Sequence, residues 1–180
     1  MVNEAPMEKT EYGLLAAAEG WFVVNVRDAA WVTNERLGEA CIFEGDAAEF
    51  GQIGYTLQVL RSGQPSGLYH REKDQEDFLV LMGECLLLVE GEERRLKAWD
   101  FVHCPPGTEH IFVGAGDGPC LIFMAGAREH RGDHIYTRSE VAIRHGAGLE
   151  KDTLPSEDPY GAFPDWRPGP PASFEGLPFA

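Results

Sequence analysis

Four residues with metal-ligating or proton-carrying side chains fall in two short segments of this chain. The first segment runs from Gly63 through His70-Arg71-Glu72 and Glu76 to Gly83. The second runs from Asp100 through Pro105-Pro106-Gly107-Thr108-Glu109 to His110. His70 and Glu72 are two apart, so on a strand their side chains share a face. Glu76 follows one short turn later, and His110 follows the Pro-Pro-Gly turn, each at the start of a further strand. A barrel would bring the four together. Two imidazoles and two carboxylates suit a borderline or moderately hard divalent cation. Such an ion polarises carbonyls and hydroxyls, or supports oxygen chemistry if it is redox-active.

The surrounding sequence supplies the strands. Ile53–Leu60 ends at the turn signal Arg61-Ser62-Gly63-Gln64-Pro65, and Leu68–Glu72 is a further short strand. Asp77–Met82 stops at Gly83. Cys85–Val89 turns through Glu90-Gly91-Glu92 into Arg94–Trp99, a hairpin pattern. Phe101–Cys104, His110–Val113 and Cys120–Met124 complete the series. Short strands at this spacing, with Gly/Pro turns and no long amphipathic helix, predict an all-β sandwich or barrel. Phe78 shares a face with Glu76, and Phe112 with His110, so these rings wall a pocket or fill the barrel. Cys104 alternates with Val102 and faces inward, whereas His103 faces outward. Tyr55 is placed inside on the preceding strand. Tyr55, Phe78, Cys104 and Phe112 are therefore the expected pocket lining.

Outside this core the pattern weakens. Leu14–Glu19 reads as one or two helical turns, and Trp21–Val26 as a strand. A polar stretch then runs to Gly38, before a short strand at Cys41–Phe43. Ser139–His145 reads as a short helix with Ser139 as N-cap and Gly146 as stop. His130 and His134 have the spacing of helical zinc ligands, but Gly132 lies between them without a helical pattern. Residues 164–180 hold five prolines and read as an extended arm, packed on this barrel or on a partner's.

The chain has 180 residues with 30 Asp and Glu against 15 Lys and Arg, for a net charge of -15. Such a balance opposes nucleic-acid binding and gains nothing from an anionic membrane. No apolar stretch approaches the length of a bilayer span. The four cysteines form no CxxC pair and read as buried thiols in a reducing compartment. The first residues lack a basic segment followed by an apolar one, so a cytoplasmic location is expected.

The two segments together resemble the motifs of the cupin superfamily. Glu76-(6 residues)-Gly83 matches the end of the first motif, and Pro105-Pro106-Gly107-Thr108-Glu109-His110 matches the core of the second. The chain departs from the pattern at several positions. Glu72 stands where the second motif-one histidine would be, Trp99 replaces a glycine before Asp100, and Gly114 replaces a late asparagine. The gap from Gly63 to His70 is one residue longer than usual.

The resemblance implies a jelly-roll β-barrel over 51–126. Strands of 1–50 would pack on it, a short-helix extension would cover 127–163, and a Pro-rich arm 164–180. It implies one divalent metal ion held by His70, Glu72, Glu76 and His110, zinc foremost, with manganese, iron or nickel as alternatives. Three roles stay open for Glu72: ligand, acid–base or hydrogen-bonding partner of a ligand, or solvated strand-end residue. The expected partner is a small molecule, and the expected assembly a homodimer. The expected function is Lewis-acid chemistry of isomerase or lyase type. A metabolite-binding sensor and an iron or manganese dioxygenase are the alternatives.

Overall fold

The computed structural model describes residues 1–169 and 176–179. Two antiparallel sheets face one another. The larger contains, in spatial order, β10 (Phe101–Cys104), β7 (Glu76–Met82), β12 (Cys120–Ala127), β5 (Ile53–Leu60), β4 (Gly38–Ile42), β3 (Ala30–Asn34) and β14 (Arg167–Pro168). The smaller contains β11 (His110–Ala115), β8 (Glu84–Val89) and β9 (Glu92–Lys97). A two-stranded ribbon, β6 (Arg71–Glu72) with β13 (His134–Ile135), joins β11 through an isolated His70–His110 bridge. This is the expected all-β jelly roll.

Period-two alternation explains the interior. On β7, Glu76, Phe78 and Val80 point inward; on β11, His110 and Phe112 do. Leu60, Phe78, Val80, Cys85, Leu87, Cys104, Phe112, Cys120 and Ile122 make one buried cluster between the sheets. The β8–β9 hairpin closes on Glu90 and Gly91, with φ of 49° and 77°. Two left-handed residues are what a two-residue turn between twisted strands requires.

The segments outside the barrel cover its two outer faces. Trp31, Cys41, Leu57, Val59 and Leu121 form a second cluster on the outside of the large sheet. Leu177 and Phe179 of the C-terminal arm close over it, and Phe179 stacks on Trp31 at 5.8 Å. The described part of the arm thus packs on its own barrel; Phe174 lies outside the described residues. On the small sheet, Tyr69, Leu88, Ile111 and Val113 are covered by Ala142 and Ala147. Ala142 lies on α1 (Glu140–Arg144), whose N-cap Ser139 accepts a hydrogen bond from the Ala142 amide.

Three local expectations are corrected. Residues 14–19 hold a strand, β2 (Leu14–Ala16), paired with β1 (Met7–Lys9), and no helical turn. In Trp21–Val26 only Trp21 makes a bridge, to Glu4. Val24 and Val26 pack onto the outer face of the large sheet as cover. The polar stretch before Gly38 contains β3, whose Trp31 is 1% exposed and donates its indole N–H to Val26 O.

Gly83 joins β7 to β8 at φ +74°, and a Cβ there would lie 2.3 Å from Pro119 O. The nearest atoms are all backbone, so no flexible side chain is there to yield. Gly83→Ala is expected to lower stability by about 2 kcal/mol or more, read as a fall in denaturation midpoint with an unchanged m-value.

Candidate metal centre

The His70–His110 bridge sets the site. His70 N donates to His110 O at 3.2 Å, and His110 N to His70 O at 2.8 Å. Residues paired directly across two strands project their side chains to one side. The two imidazole centroids are accordingly 5.1 Å apart. Each ring is held by its other nitrogen. His70 Nδ1 meets Leu68 O at 2.8 Å, and His110 Nδ1 meets Thr108 O at 3.1 Å. A carbonyl only accepts, so both Nδ1 atoms carry protons and both Nε2 atoms point into the barrel.

Carboxylates wait at those Nε2 atoms. His110 Nε2 lies 3.4 Å from Glu76 Oε2, and His70 Nε2 lies 3.6 Å from Glu72 Oε1. A neutral imidazole with a protonated Nδ1 offers a lone pair at Nε2. A lone pair facing a carboxylate is two acceptors in opposition, relieved only by a proton or a cation. Among the described residues, His70, Glu76 and His110 bring one ligand atom each to within 4.8 Å of one another. Their donor chemistry fits a divalent metal. Glu72 stands beside this trio on the open side, with its side chain 32% exposed.

Burial sets the protonation states. His110 is pushed down to about 4 by burial and then by neighbouring His70. Glu76 is pushed up to about 7 by burial, helped by the charge of Glu72. For His70, burial acts downward but is outweighed by Glu72 and Glu76, and the net direction is upward. Glu72 is lowered, first by its contact with His70.

The other expected residues divide. Phe78 and Phe112 line a cavity of about 130 Å³ together with His70, Glu76 and His110. Their rings are 4.7 Å apart, and Phe78 is 5.2 Å from the His110 ring. Cys104 faces inward but belongs to the packed cluster beneath Glu76, its cross-strand partner. Burial and then Glu76 push its thiol up to about 12. Tyr55 is corrected. It borders the mouth, but its ring stacks on Phe123 at 5.9 Å and meets Phe50 edge-on at 6.0 Å, on the outer face of the large sheet. Its neighbours Thr56 and Gln58 take the inward positions. His103 faces outward as expected and pairs with Asp77 at 2.7 Å.

Sequence reasoning missed Tyr136 and Tyr160, and weighed His134 only as a helical-spacing partner of His130. His134 lies edge-on to His70 at 6.1 Å and shares a 3.0 Å hydrogen bond with Tyr136 Oη. Tyr160 lines the inner cavity, and its hydroxyl accepts the Leu68 amide at 2.9 Å. The same-face spacing of His134 and Tyr136 was the available signal. Tyr160 sits in an irregular loop and gave none.

Residues 56–126 match the cupin domain family. No characterised protein sequence matches the chain. Among solved structures, the polyketide cyclase RemF from Streptomyces resistomycificus is similar over 59% of this chain and 79% of its own, at 15% identity and a TM-score of 0.51. A sugar phosphate isomerase of the cupin superfamily from Silicibacter pomeroyi aligns over 57% of this chain and 71% of its own, at 24% identity and a TM-score of 0.45. The DMSP lyase DddQ from Ruegeria pomeroyi aligns over 52% of this chain at 23% identity and a TM-score of 0.43, and the match spans about half (46%) of that protein. These likenesses concern the fold.

Metal binding displaces the proton held by Glu76 and opposes any proton on His70. Apparent affinity for zinc is therefore expected to fall at least about tenfold per pH unit below about 7 and to level above it. Competition titrations against a chelator of known pH dependence read this directly. A flat profile from pH 5 to 8 would contradict the proton assignment.

Proposed function

We propose that this chain, whose residues 56–126 form a cupin domain, binds a divalent metal ion through His70, Glu76 and His110 and acts on a small molecule by Lewis-acid chemistry of isomerase or lyase type. The observation that carries the reading is that two imidazole Nε2 atoms and two carboxylates face one another inside a barrel, with both Nδ1 atoms already tied to backbone carbonyls. When bound, the ion polarises a carbonyl or hydroxyl of the substrate.

The chain's own residues do the rest. His70 and His110 hold their Nε2 atoms in place through backbone-anchored rings, as ligating histidines require. Glu76 neutralises one charge at the floor of the site. Glu72 stays ionised at the open side, where it can accept a proton from a substrate hydroxyl. Phe78, Phe112 and Met124 give the cavity apolar walls that exclude water.

A second reading rests on the ligand count. Two imidazoles and one carboxylate are also the set used by oxygen-activating ferrous sites. Oxygen uptake by the iron-loaded protein, absent from the zinc-loaded protein, would favour it.

Elemental mass spectrometry of purified protein tests the centre. About one transition-metal ion per chain is expected, lost in a His70→Ala/His110→Ala double variant and retained in Glu72→Gln. Absence of metal from the native protein, even after reconstitution, would overturn the proposal.

A further inference from the structure

A groove of about 430 Å³ runs along the β6–β13 ribbon beside the metal group. The ribbon register sets Ile135 opposite Arg71, and His134 opposite Glu72. Paired residues share a face and successive ones alternate. Glu72 and His134 therefore stand on the side of His70, and Arg71 and Ile135 on the other, yet all four border the groove. Pro106 and Leu154 add apolar walls, and Leu154 is left 49% exposed.

The charges in this groove are unequal. Lys73 is neutralised by Asp133, and His130 by the buried Asp74. Arg71 has no ion-pair partner among the described residues. In a chain of net charge -15, Arg71 is thus an exposed cation without an ion-pair partner at the border of this groove. A guanidinium offers a planar fork of N–H donors that matches a carboxylate. One guanidinium without an ion-pair partner provides one such fork, enough for a single carboxylate.

We infer that the groove is the binding subsite for a small organic monoacid. Its carboxylate pairs with Arg71, its apolar body lies along Ile135, Pro106 and Leu154, and Glu72 marks the side on which it meets the metal group. The inference names the substrate class of the proposed centre and rests on that reading for its role, though not for binding itself.

Calorimetric titration of zinc-loaded and chelator-treated protein with hexanoate and benzoate, against hexanamide and benzamide, tests it. The acids are expected to bind both forms at least about tenfold more tightly than the amides. Arg71→Gln should reduce the acids to the level of the amides without changing metal content. Leu154→Asn should weaken acids and amides alike. Equal affinity for acid and amide, acid binding unaffected by Arg71→Gln, or acid binding lost on chelation would each overturn the subsite. Acid binding to a protein that takes up no metal would sustain the subsite and remove the Lewis-acid reading. Metal uptake without acid binding would do the reverse.

Discussion

Two backbone hydrogen bonds between His70 and His110 hold the β6–β13 ribbon against the small sheet. Each such bond contributes only about 1 kcal/mol to stability. Their consequence for the site is larger, because direct pairing across strands leaves the two side chains one place to go. The rings stand side by side, and the carbonyls of Leu68 and Thr108, each two residues upstream, fix their tilt and tautomer. The same local device is used on both strands. A displacement of one residue in this pairing would turn one imidazole outward and leave a single histidine in the barrel.

That geometry creates an electrostatic conflict which only a proton or a cation relieves. His110 is buried and uncharged at neutral pH, whereas Glu76 is held near its midpoint by burial and by Glu72. The carboxylate of Glu76 cannot be satisfied by His110 Nε2 unless a proton or a cation lies between them. A barrel interior used only for packing would place apolar residues at these positions, as it does one step deeper with Phe78 and Phe112. The polar layer is confined to the mouth, and the aromatic layer beneath it keeps the local dielectric low.

The barrel core was legible because its alternation and its turns agree. Glu76, Phe78 and Val80 read as one face, and Gly83 and Gly91 punctuate the strands where the backbone takes positive φ. The resemblance to cupin motifs then gave the depth of the site. Residues 21–26 misled because Phe22, Val24 and Val26 also alternate. Val24 and Val26 pack across the large sheet and Phe22 against Ala5, Ala16 and Ala48, without pairing as a strand, and a single sequence does not distinguish packing from pairing. Trp31 was hidden because the residues flanking β3 are polar. Tyr55 was assigned to the wrong face because the parity of β5 is set by its pairing to β12, where Tyr55 opposes Ala125 and follows Phe123 outward. His134 reaches the site through a two-residue ribbon, whose one sequence signal is the same-face spacing of His134 and Tyr136.

The extensions are part of what lets the site exist. Phe101, Leu79, Phe123, Leu57, Cys41 and Trp31 are successive cross-strand partners, an apolar row running over six strands on the outside of the large sheet. A barrel of residues 56–126 alone would expose most of that row, and exposed apolar rows promote association. Here β3, β4 and the arm bearing Leu177 and Phe179 bury its far end, while Phe101 at the near end stays 64% exposed. The helix does the same for the small sheet through Ala142. With apolar burial supplied on both outer faces, the interior can spend part of its volume on a polar, partly hollow mouth. That division of labour, packing outside and chemistry inside, is why the segments least like the family's motifs contribute to stability, and why two of them, at His134 and Tyr160, also reach the site.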